Sequence, residues 1–483
     1  MNASADWEEL VSTALVGTDR RPLPGEGASE VELLGRAAVH TLRMRAGRRP
    51  VAPGEPPSLA APEEQPEVSR AAGDRLARVL GGEQPRLLTE WLETAAGRGY
   101  RLSPHLLPEL LDHAVRDRSI RPYLGVLAGN RGRWLAGLNP AWGFLLEEVT
   151  GVAATGPATG PATGPATDSG PTSQVWEFGT SGDRRVHLGE LRAADPARAR
   201  ELLAATWEKE GPDDRAAFLE ALTTGLSLED EPFLEAALDD RRREVRHQAA
   251  DLLTRLPGSR LALRMAERVA RYVTVVGGEI HVDPPVACDS AMERDGIRAK
   301  APRGTGERGW WLQQAVARTP LGVWPRLLGR PPGELVRMKI VDWNREVMAG
   351  WVRAAVLQGD PEWALELFAW DPIADLLAAL PRDRQEIVAA DFVRRHGLDG
   401  QLIMVLGGAA APWGPALATA VLQKIIDVSG TQPWNLGELT KLAGERIDPA
   451  LHDMAGRLSP EPPIQEVAAL LRFRDDMLKE LTQ

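Results

Sequence analysis

The chain has 483 residues, a formal net charge of −11 at pH 7 and one cysteine, Cys288. Apolar residues make up 43% of it and charged residues 26%, which excludes a collagen, a mainly disordered chain and a disulfide-rich miniprotein. The acidic total argues against broad nucleic-acid binding, because that affinity comes from neutralising phosphates. A single thiol forms neither an internal disulfide nor a cysteine-cluster zinc site, which indicates a cytoplasmic protein.

The first residues and the longest apolar run indicate neither export nor membrane insertion. Asp6, Glu8 and Glu9 make the N-terminus acidic, whereas a signal peptide is basic and then apolar. The longest apolar run, residues 402–411, is far shorter than the roughly 20 residues of a membrane span. We therefore expect no membrane segment.

Helical periodicity runs through most of the chain. Ser103 followed by Pro104 predicts a helix N-terminus, with serine as the cap and proline in the first turn. The apolar stripe of that helix is Leu107, Leu110, Leu111 and Ala114. Four Asp-Pro pairs predict further helix starts, at Asp195, Asp360, Asp371 and Asp448. These patterns predict many short helices, of which residues 1–149 form an N-terminal helical domain.

A basic and aromatic patch lies in this first region. It consists of Arg116, Arg118, Arg121, Arg131, Arg133 and Trp134. Such a patch can hold a phosphate or an acidic peptide. It can equally pair with residues 208–240 of the same chain, where eleven acids stand against Lys209 and Arg215. We favour the internal pairing.

Residues 150–174 break the helical pattern. The sequence Thr-Gly-Pro-Ala starts at Thr155 and again at Thr159 and Thr163. This repeat has no apolar face and is rich in glycine and proline, so it cannot pack into a core. We expect a disordered linker.

Residues 234–256 carry the clearest repeat signature. One helix ends at Asp239-Asp240, and a second helix begins at the next residues and stops before Pro257. The second helix has the apolar stripe Val245, Ala249, Leu252, Leu253 and Leu256. Ser259 predicts the cap of a third helix. This arrangement resembles a HEAT repeat, so we predict an all-α, HEAT-like α-solenoid with its repeats over residues 175–270.

Residues 271–309 form a predicted insertion. Two β-favouring segments flank Gly277-Gly278, which predicts a hairpin, and a long polar loop follows. Long irregular loops inside a compact fold tend to be functional or disordered. We therefore expect a β-hairpin and loop that make a specific interaction.

The same insertion holds a grouping with potential chemistry. His281 and Asp283 share a strand face, and Cys288 and Asp289 follow them. A metal site or a catalytic thiol is one interpretation. We favour a hairpin histidine, a capping aspartate and an inert thiol, and we expect no catalytic residues, no bound metal and no cofactor.

Residues 310–483 form a predicted series of C-terminal helical repeats that is rich in tryptophan. The chain has 15 Trp against 7 Phe and 3 Tyr, and most of the tryptophans lie in this part. Bulky indoles between packed helices explain most of them, whereas Trp310 and Trp311 border the insertion. Because Trp and Arg dominate protein interfaces, some of these side chains are candidates for a recognition surface.

The candidates for partner contact therefore come from three places: the first basic patch, the start of the second HEAT-like helix, and the insertion with its border. They are Arg131, Arg133, Trp134, Arg241, Arg243, Arg246, Asp289, Arg294, Asp295, Trp310 and Trp311.

Three segments together resemble one known family. They are Ala14-Leu-Val-Gly17-Thr18-Asp19-Arg20, Gly129-Asn-Arg131-Gly-Arg133-Trp134-Leu with Asn139-Pro-Ala-Trp142, and the stretch from Asp230-Glu-Pro-Phe to Arg241. The family is an uncharacterised bacterial one of HEAT-like helical-repeat proteins, encoded beside MoxR-type AAA ATPases, von Willebrand A-domain proteins and SWIM zinc-finger proteins. The resemblance implies these three as candidate partners and assigns no catalytic residue.

We therefore expect a non-enzymatic, protein-binding scaffold or adaptor in an assembly with a MoxR-type AAA ATPase and a von Willebrand A-domain protein. Two alternatives stay open. One is a nucleic-acid-binding helical-repeat protein that uses the basic patch, although the acidic total argues against a nucleic-acid partner. The other is an enzyme with its site in residues 271–309.

Overall fold

The computed structural model describes residues 3–21, 30–46, 58–147, 171–431 and 434–482. The chain forms two compact units, Met1–Ala61 and Pro62–Gln483. The division falls inside the expected N-terminal domain of residues 1–149. The expected linker 150–174 lies outside the described residues up to position 170, and its last four residues begin a helix.

The first unit contains a helix pair. Its helices are α1 (Ala3–Val16) and α2 (Glu30–Ala46). The two pack against each other, and the rings of Trp7 and His40 stack with their centroids 5.2 Å apart. This aromatic contact joins α1 to α2.

The second unit begins with a group of helices over residues 62–147. They are α3 (Arg70–Leu80), α4 (Leu88–Gly97), α5 (Leu107–Arg116), α6 (Arg121–Leu127), α7 (Gly129–Leu138) and α8 (Phe144–Glu147). The predicted stripe of α5 is buried, as expected. The predicted cap is wrong: the hydroxyl of Ser103 donates to the carboxylate of Glu67, and the helix begins only at Leu107.

The next helices cover the region of the HEAT-like prediction. They are α9 (Pro171–Phe178), α10 (Ser181–Ala194), α11 (Pro196–Thr206), α12 (Pro212–Ala221), α13 (Glu231–Ala237), α14 (Arg243–Thr254) and α15 (Arg260–Tyr272). The predicted stripe of α14 is buried, from Val245 at 0% exposed to Leu256 at 8%. The hydroxyl of Ser259 accepts the Ala262 N–H and caps α15, as predicted.

The insertion contains the predicted hairpin. Strands β1 (Val273–Val276) and β2 (Glu279–Val282) pair antiparallel around Gly277-Gly278, and a short helix, α16 (Ser290–Arg294), follows. A third strand, β3 (Ile340–Val341), runs parallel to β2 and gives the sheet order β1-β2-β3. Sequence patterns do not predict β3, because a pairing of two residues leaves no periodic signal.

The remaining helices complete the chain. They are α17 (Glu307–Arg318), α18 (Val323–Leu328), α19 (Pro332–Arg337), α20 (Asn344–Gln358), α21 (Pro361–Trp370), α22 (Ala374–Ala378), α23 (Arg382–Arg395), α24 (Gly400–Gly407), α25 (Pro415–Ser429), α26 (Leu436–Arg446), α27 (His452–Leu458) and α28 (Pro462–Glu480). Helices that lie near one another in the chain pack together, including α14 on α15, α15 on α17, and α17 on α20. The predicted all-α helical-repeat fold with a small insertion is confirmed.

The predicted Asp-Pro helix starts are correct in three cases. The carboxylates of Asp195 and Asp360 cap α11 and α21, and that of Asp448 caps a short 3₁₀ turn before α27. Asp371 is different, because its backbone N–H donates to the Leu367 carbonyl and ends α21. The next helix, α22, begins only at Ala374.

The described residues of the second unit form two apolar cores. One extends from Trp176 to Leu471, and the other joins residues 68–145 to Phe473, Met477 and Leu481 of the C-terminal end. The helices α3 and α4 thus pack against α28. Trp324, Trp351 and Trp363 are buried in the first core in ring contact, as the helix-packing interpretation predicts. Among the described helices, none is long and apolar enough to cross a membrane.

Candidate functional site

A basic cleft of about 640 Å³ lies between α14 and residues 297–302. Four cationic side chains line it: Arg243, Arg246, Arg298 and Lys300. The acidic side chains at its walls are Glu244, Asp251 and Glu293, and the neutral ones include His247, Gln248 and Trp310. A cluster of cations on a chain with a net charge of −11 makes this cleft the candidate site.

Helix α14 forms one wall because its apolar stripe faces the core. Positions 243, 246 and 247 are three and four residues apart, so they lie near one another on the helix, outside its apolar stripe. The guanidinium of Arg246 donates to the carbonyl of Asp240 over 2.8 Å and to that of Arg241 over 3.2 Å. The first two turns of α14 thus present two arginines and a histidine to the cleft.

The other wall is a loop that α17 holds in place. The Gln314 side chain accepts the Arg298 N–H over 2.8 Å and donates to the Arg298 carbonyl over 3.2 Å. The indole N–H of Trp311 donates to the Ala299 carbonyl over 2.7 Å. Both side chains are almost fully buried, at 7% exposed. These bonds fix the loop backbone while the Arg298 and Lys300 side chains stay exposed.

Close contact with α14 sets the loop's position. Gly296 has a φ of +82°, and a Cβ atom there would lie 2.5 Å from the Cβ of Ala250 on α14. Only glycine fits both the left-handed backbone and this close approach. The loop therefore lies directly against the helix that forms the opposite wall.

His247 joins the two walls. The Nε–H of Arg298 donates to the Nδ1 of His247 over 3.2 Å. Burial, together with the positive charges of Arg298 and Arg318, lowers the pKa of His247 to about 4. The imidazole is therefore neutral at pH 7, and because Nδ1 accepts a bond, Nε2 carries the proton and is a donor.

Asp251 contributes little negative charge to the cleft. Its two carboxylate oxygens accept bonds from Arg318 at 3.0 Å and Arg353 at 3.1 Å. Burial lowers the pKa of Arg318, and Asp251 opposes that effect. Since two arginines share one carboxylate, the wall behind the cleft is also positive.

An ion-pair network supports the loop from the other side. Asp295 is only 1% exposed and accepts bonds from Arg264 and Arg268 of α15. Arg294 pairs with Asp239 over 2.7 Å and with Glu235 of α13 over 3.4 Å. The sequence candidates Arg294 and Asp295 thus bind the loop to α13 and α15. A third candidate, Asp289, caps α16 by accepting the Met292 N–H.

The structure brings three of the sequence candidates together, since Arg243, Arg246 and Trp310 all line the cleft. Trp311 holds the loop from behind. Arg241 is exposed just before α14. Sequence reasoning missed the cleft residues His247, Arg298 and Lys300. The spacing of Arg243 and His247 on one helix face was visible, but nothing local links α14 to a loop some fifty residues later.

The other three candidates lie on α7, away from the cleft lining. Arg133 donates to the Gly125 carbonyl over 2.8 Å, and the backbone N–H of Arg131 donates to Glu63 over 2.8 Å. Arg131 is exposed, whereas Arg133 and Trp134 are half-buried.

The predicted pairing of the first basic patch with the acidic residues 208–240 is wrong: it does not occur among the ion pairs of the described residues. The acids pair instead with arginines of adjacent helices: Asp230 with Arg192 and Arg200, Glu210 with Arg184, and Asp240 with Arg215. The Arg192–Asp230 pair is fully buried. Each of these bonds joins an arginine of α10, α11 or α12 to an acidic residue that lies outside the α-helices, just before α12, just before α13 or after α13.

The grouping considered for a metal site or a catalytic thiol consists of His281, Asp283, Cys288 and Asp289. Burial and the charges of Glu293 and Asp289 raise the pKa of the Cys288 thiol to about 11, so it is protonated at neutral pH. Asp283 pairs with Arg308 over 3.0 Å. Across the described part of the chain, no three His, Cys, Asp or Glu side chains are placed to hold a metal ion.

A family model described as "Family of unknown function (DUF5691)" matches residues 9–481. No curated protein and no solved structure matches the chain significantly.

Proposed function

We propose that this chain, which belongs to the family of unknown function matched over residues 9–481, is a non-enzymatic protein-binding scaffold or adaptor. The observation that carries the proposal is the basic cleft between α14 and residues 297–302. Its two walls carry two cationic side chains each and are held in place by the buried stripe of α14 and by the Gln314 and Trp311 bonds. A preformed charged cleft on a stacked helical frame suits recognition of another protein.

The partners that we propose follow from the family resemblance. They are a MoxR-type AAA ATPase, a von Willebrand A-domain protein and a SWIM zinc-finger protein. The scaffold would bind one of them through the cleft in the cytoplasm. An adaptor of this kind needs no reacting group, in keeping with a Cys288 thiol whose pKa is about 11.

Affinity purification from the native cell, followed by mass spectrometry, tests this proposal. The tagged wild-type chain is compared with a cleft variant, R298E/K300E, and with a matched variant, R384E/R394E. Both variants change the charge equally, and Arg384 and Arg394 are exposed on α23, outside the cleft lining.

We expect an ATPase or a von Willebrand A-domain protein with the wild-type chain and the α23 variant, and its loss with the cleft variant. Identical protein partners for all three chains would overturn the cleft as the binding site. Recovery of no protein partner by the wild-type chain would overturn the scaffold function.

A further inference from the structure

We infer that the cleft binds an extended acidic segment of a partner protein, with Arg298 and Lys300 on one wall and Arg246 on the other holding its carboxylates. This inference rests on the proposed scaffold function and specifies the chemistry of the segment that is bound. Three features of the cleft support it: the arrangement of its cations, its apolar strip and its interspersed acids.

The cations are placed to receive separate carboxylates. Arg298 uses its Nε–H on His247, which leaves the two terminal nitrogens of its guanidinium for a ligand. Lys300 lies two residues further along the same loop and is exposed. Guanidinium groups bind carboxylates through paired hydrogen bonds, and the neutral His247 adds a donor without adding charge.

An apolar strip lies beside these cations. Ile297, Ala299, Ala301 and Pro302 line the loop wall with Trp310. Trp310 is half-buried, so part of its indole is accessible from the cleft. A tryptophan and arginines in one cleft match the composition of an interface hot spot, so the bound segment should carry an apolar side chain next to its acids.

The acids in the lining favour a peptide over a nucleic acid. Glu244 and Glu293 interrupt the positive surface, and Glu244 lies 3.4 Å from Arg243. A nucleic-acid backbone carries closely and regularly spaced charges, about one per 1.7 Å of duplex axis, and would meet these glutamates. A peptide can place its carboxylates against the arginines and a neutral residue against each glutamate.

Fluorescence anisotropy of the purified full-length chain tests the inference. The probe is a short fluorescein-labelled peptide that alternates Asp with Leu, and a peptide that alternates Asn with Leu is its neutral control. We expect the acidic peptide alone to bind, with an affinity that falls about tenfold or more in R298E/K300E and is unchanged in R384E/R394E. Thermal melting checks that each variant folds. We expect both variants to fold, because the substituted side chains are exposed.

Failure of the acidic peptide to bind the wild-type chain would overturn the inference, and so would each of three further results. They are equal binding of the acidic peptide by both variants, tighter binding of labelled single-stranded DNA than of the peptide, and complete displacement of the peptide by low concentrations of inorganic phosphate. The last result would indicate a small-anion site. If the peptide fails to bind while R298E/K300E still loses its cellular partner, the scaffold function stands and only this inference fails. If the peptide binds but no cellular partner is recovered, the scaffold function fails and the cleft remains a site for acidic peptides.

Discussion

Arg298 donates its Nε–H to the Nδ1 of His247 over 3.2 Å, and this bond crosses the cleft from the loop to α14. It exists only while the imidazole is unprotonated at Nδ1, because a protonated imidazole has no acceptor. Burial and the nearby arginines keep that form dominant by lowering the pKa of His247 to about 4.

The first prediction concerns pH. The pKa of His247 is about 4 in the folded chain against 6.5 as its ordinary value, so the unfolded chain binds the extra proton first as pH falls. The native state should therefore lose stability between pH 6.5 and 4, by on the order of 1–2 kcal/mol after allowance for the partial exposure of this side chain. Above pH 6.5, His247 is neutral in both the folded and the unfolded chain, so it causes no loss of stability there.

His247→Asn tests that prediction, because an amide oxygen accepts the Arg298 bond and does not titrate. The measurement is the melting temperature across the pH range for the wild-type and variant chains. The wild-type curve should fall more steeply below pH 6.5. Parallel curves would show that His247 does not titrate in this way.

The second prediction concerns the close approach of the loop to α14. Gly296 and Gly304 have the same φ of +82°, but a Cβ atom added at Gly296 would lie 2.5 Å from the Ala250 Cβ, whereas one added at Gly304 would meet open space. Gly304→Ala should cost about 1 kcal/mol of unfolding free energy from backbone strain alone. Gly296→Ala adds a steric clash and should cost about 2 kcal/mol more. Urea unfolding measures both, and equal losses would mean that the loop does not lie against α14.

The sequence predicts the elements of the fold better than their assembly. The Val245 to Leu256 stripe, the Ser259 cap and the Gly277-Gly278 hairpin all occur where predicted, because each is a local pattern of period or turn chemistry. The Ser103 cap is wrong because Glu67, distant in sequence, accepts the serine hydroxyl. A local preference loses where a tertiary partner competes for the same group.

The residues of the candidate site divide in the same way, into those that local patterns indicate and those that depend on contacts distant in sequence. Arg243 and Arg246 were identified from the start of α14, and Trp310 from the border of the insertion. Arg298 and Lys300 were not, because their role depends on Gly296 and Gln314 holding the loop against helices from elsewhere in the chain. No sequence period records such a contact.

The third prediction concerns Asp295, a candidate for partner contact that the structure places at 1% exposed. Asp295→Asn removes the negative charge shared by Arg264 and Arg268 and leaves both without their main counter-ion. We expect a loss of about 3 kcal/mol in the free energy of unfolding. The control is Asp283→Asn in the same insertion, whose 92% exposed side chain pairs with Arg308 and should change stability by less than about 0.5 kcal/mol. Equal effects in urea unfolding would contradict the structural role of Asp295.

The fourth prediction concerns the junction between the two cores of the second unit. Arg474 of α28 is 7% exposed, forms a paired bond with Glu90 of α4 at 2.8 and 2.9 Å, and donates to the Gly444 and Ile447 carbonyls. Replacing it with alanine leaves the carboxylate and both carbonyls unpaired, so we expect a loss of about 3 kcal/mol.

Arg472→Ala, two residues earlier on the same helix, is the matched control for that junction. Arg472 is 63% exposed and its bond to Asp453 at 3.2 Å joins two exposed side chains, so its loss should cost less than about 0.5 kcal/mol. Hydrogen exchange locates the effect: in Arg474→Ala, protection should fall in α3 and α4 as well as in α28, because these helices share one core. Loss of protection in α28 alone would show that α3 and α4 are stable without it.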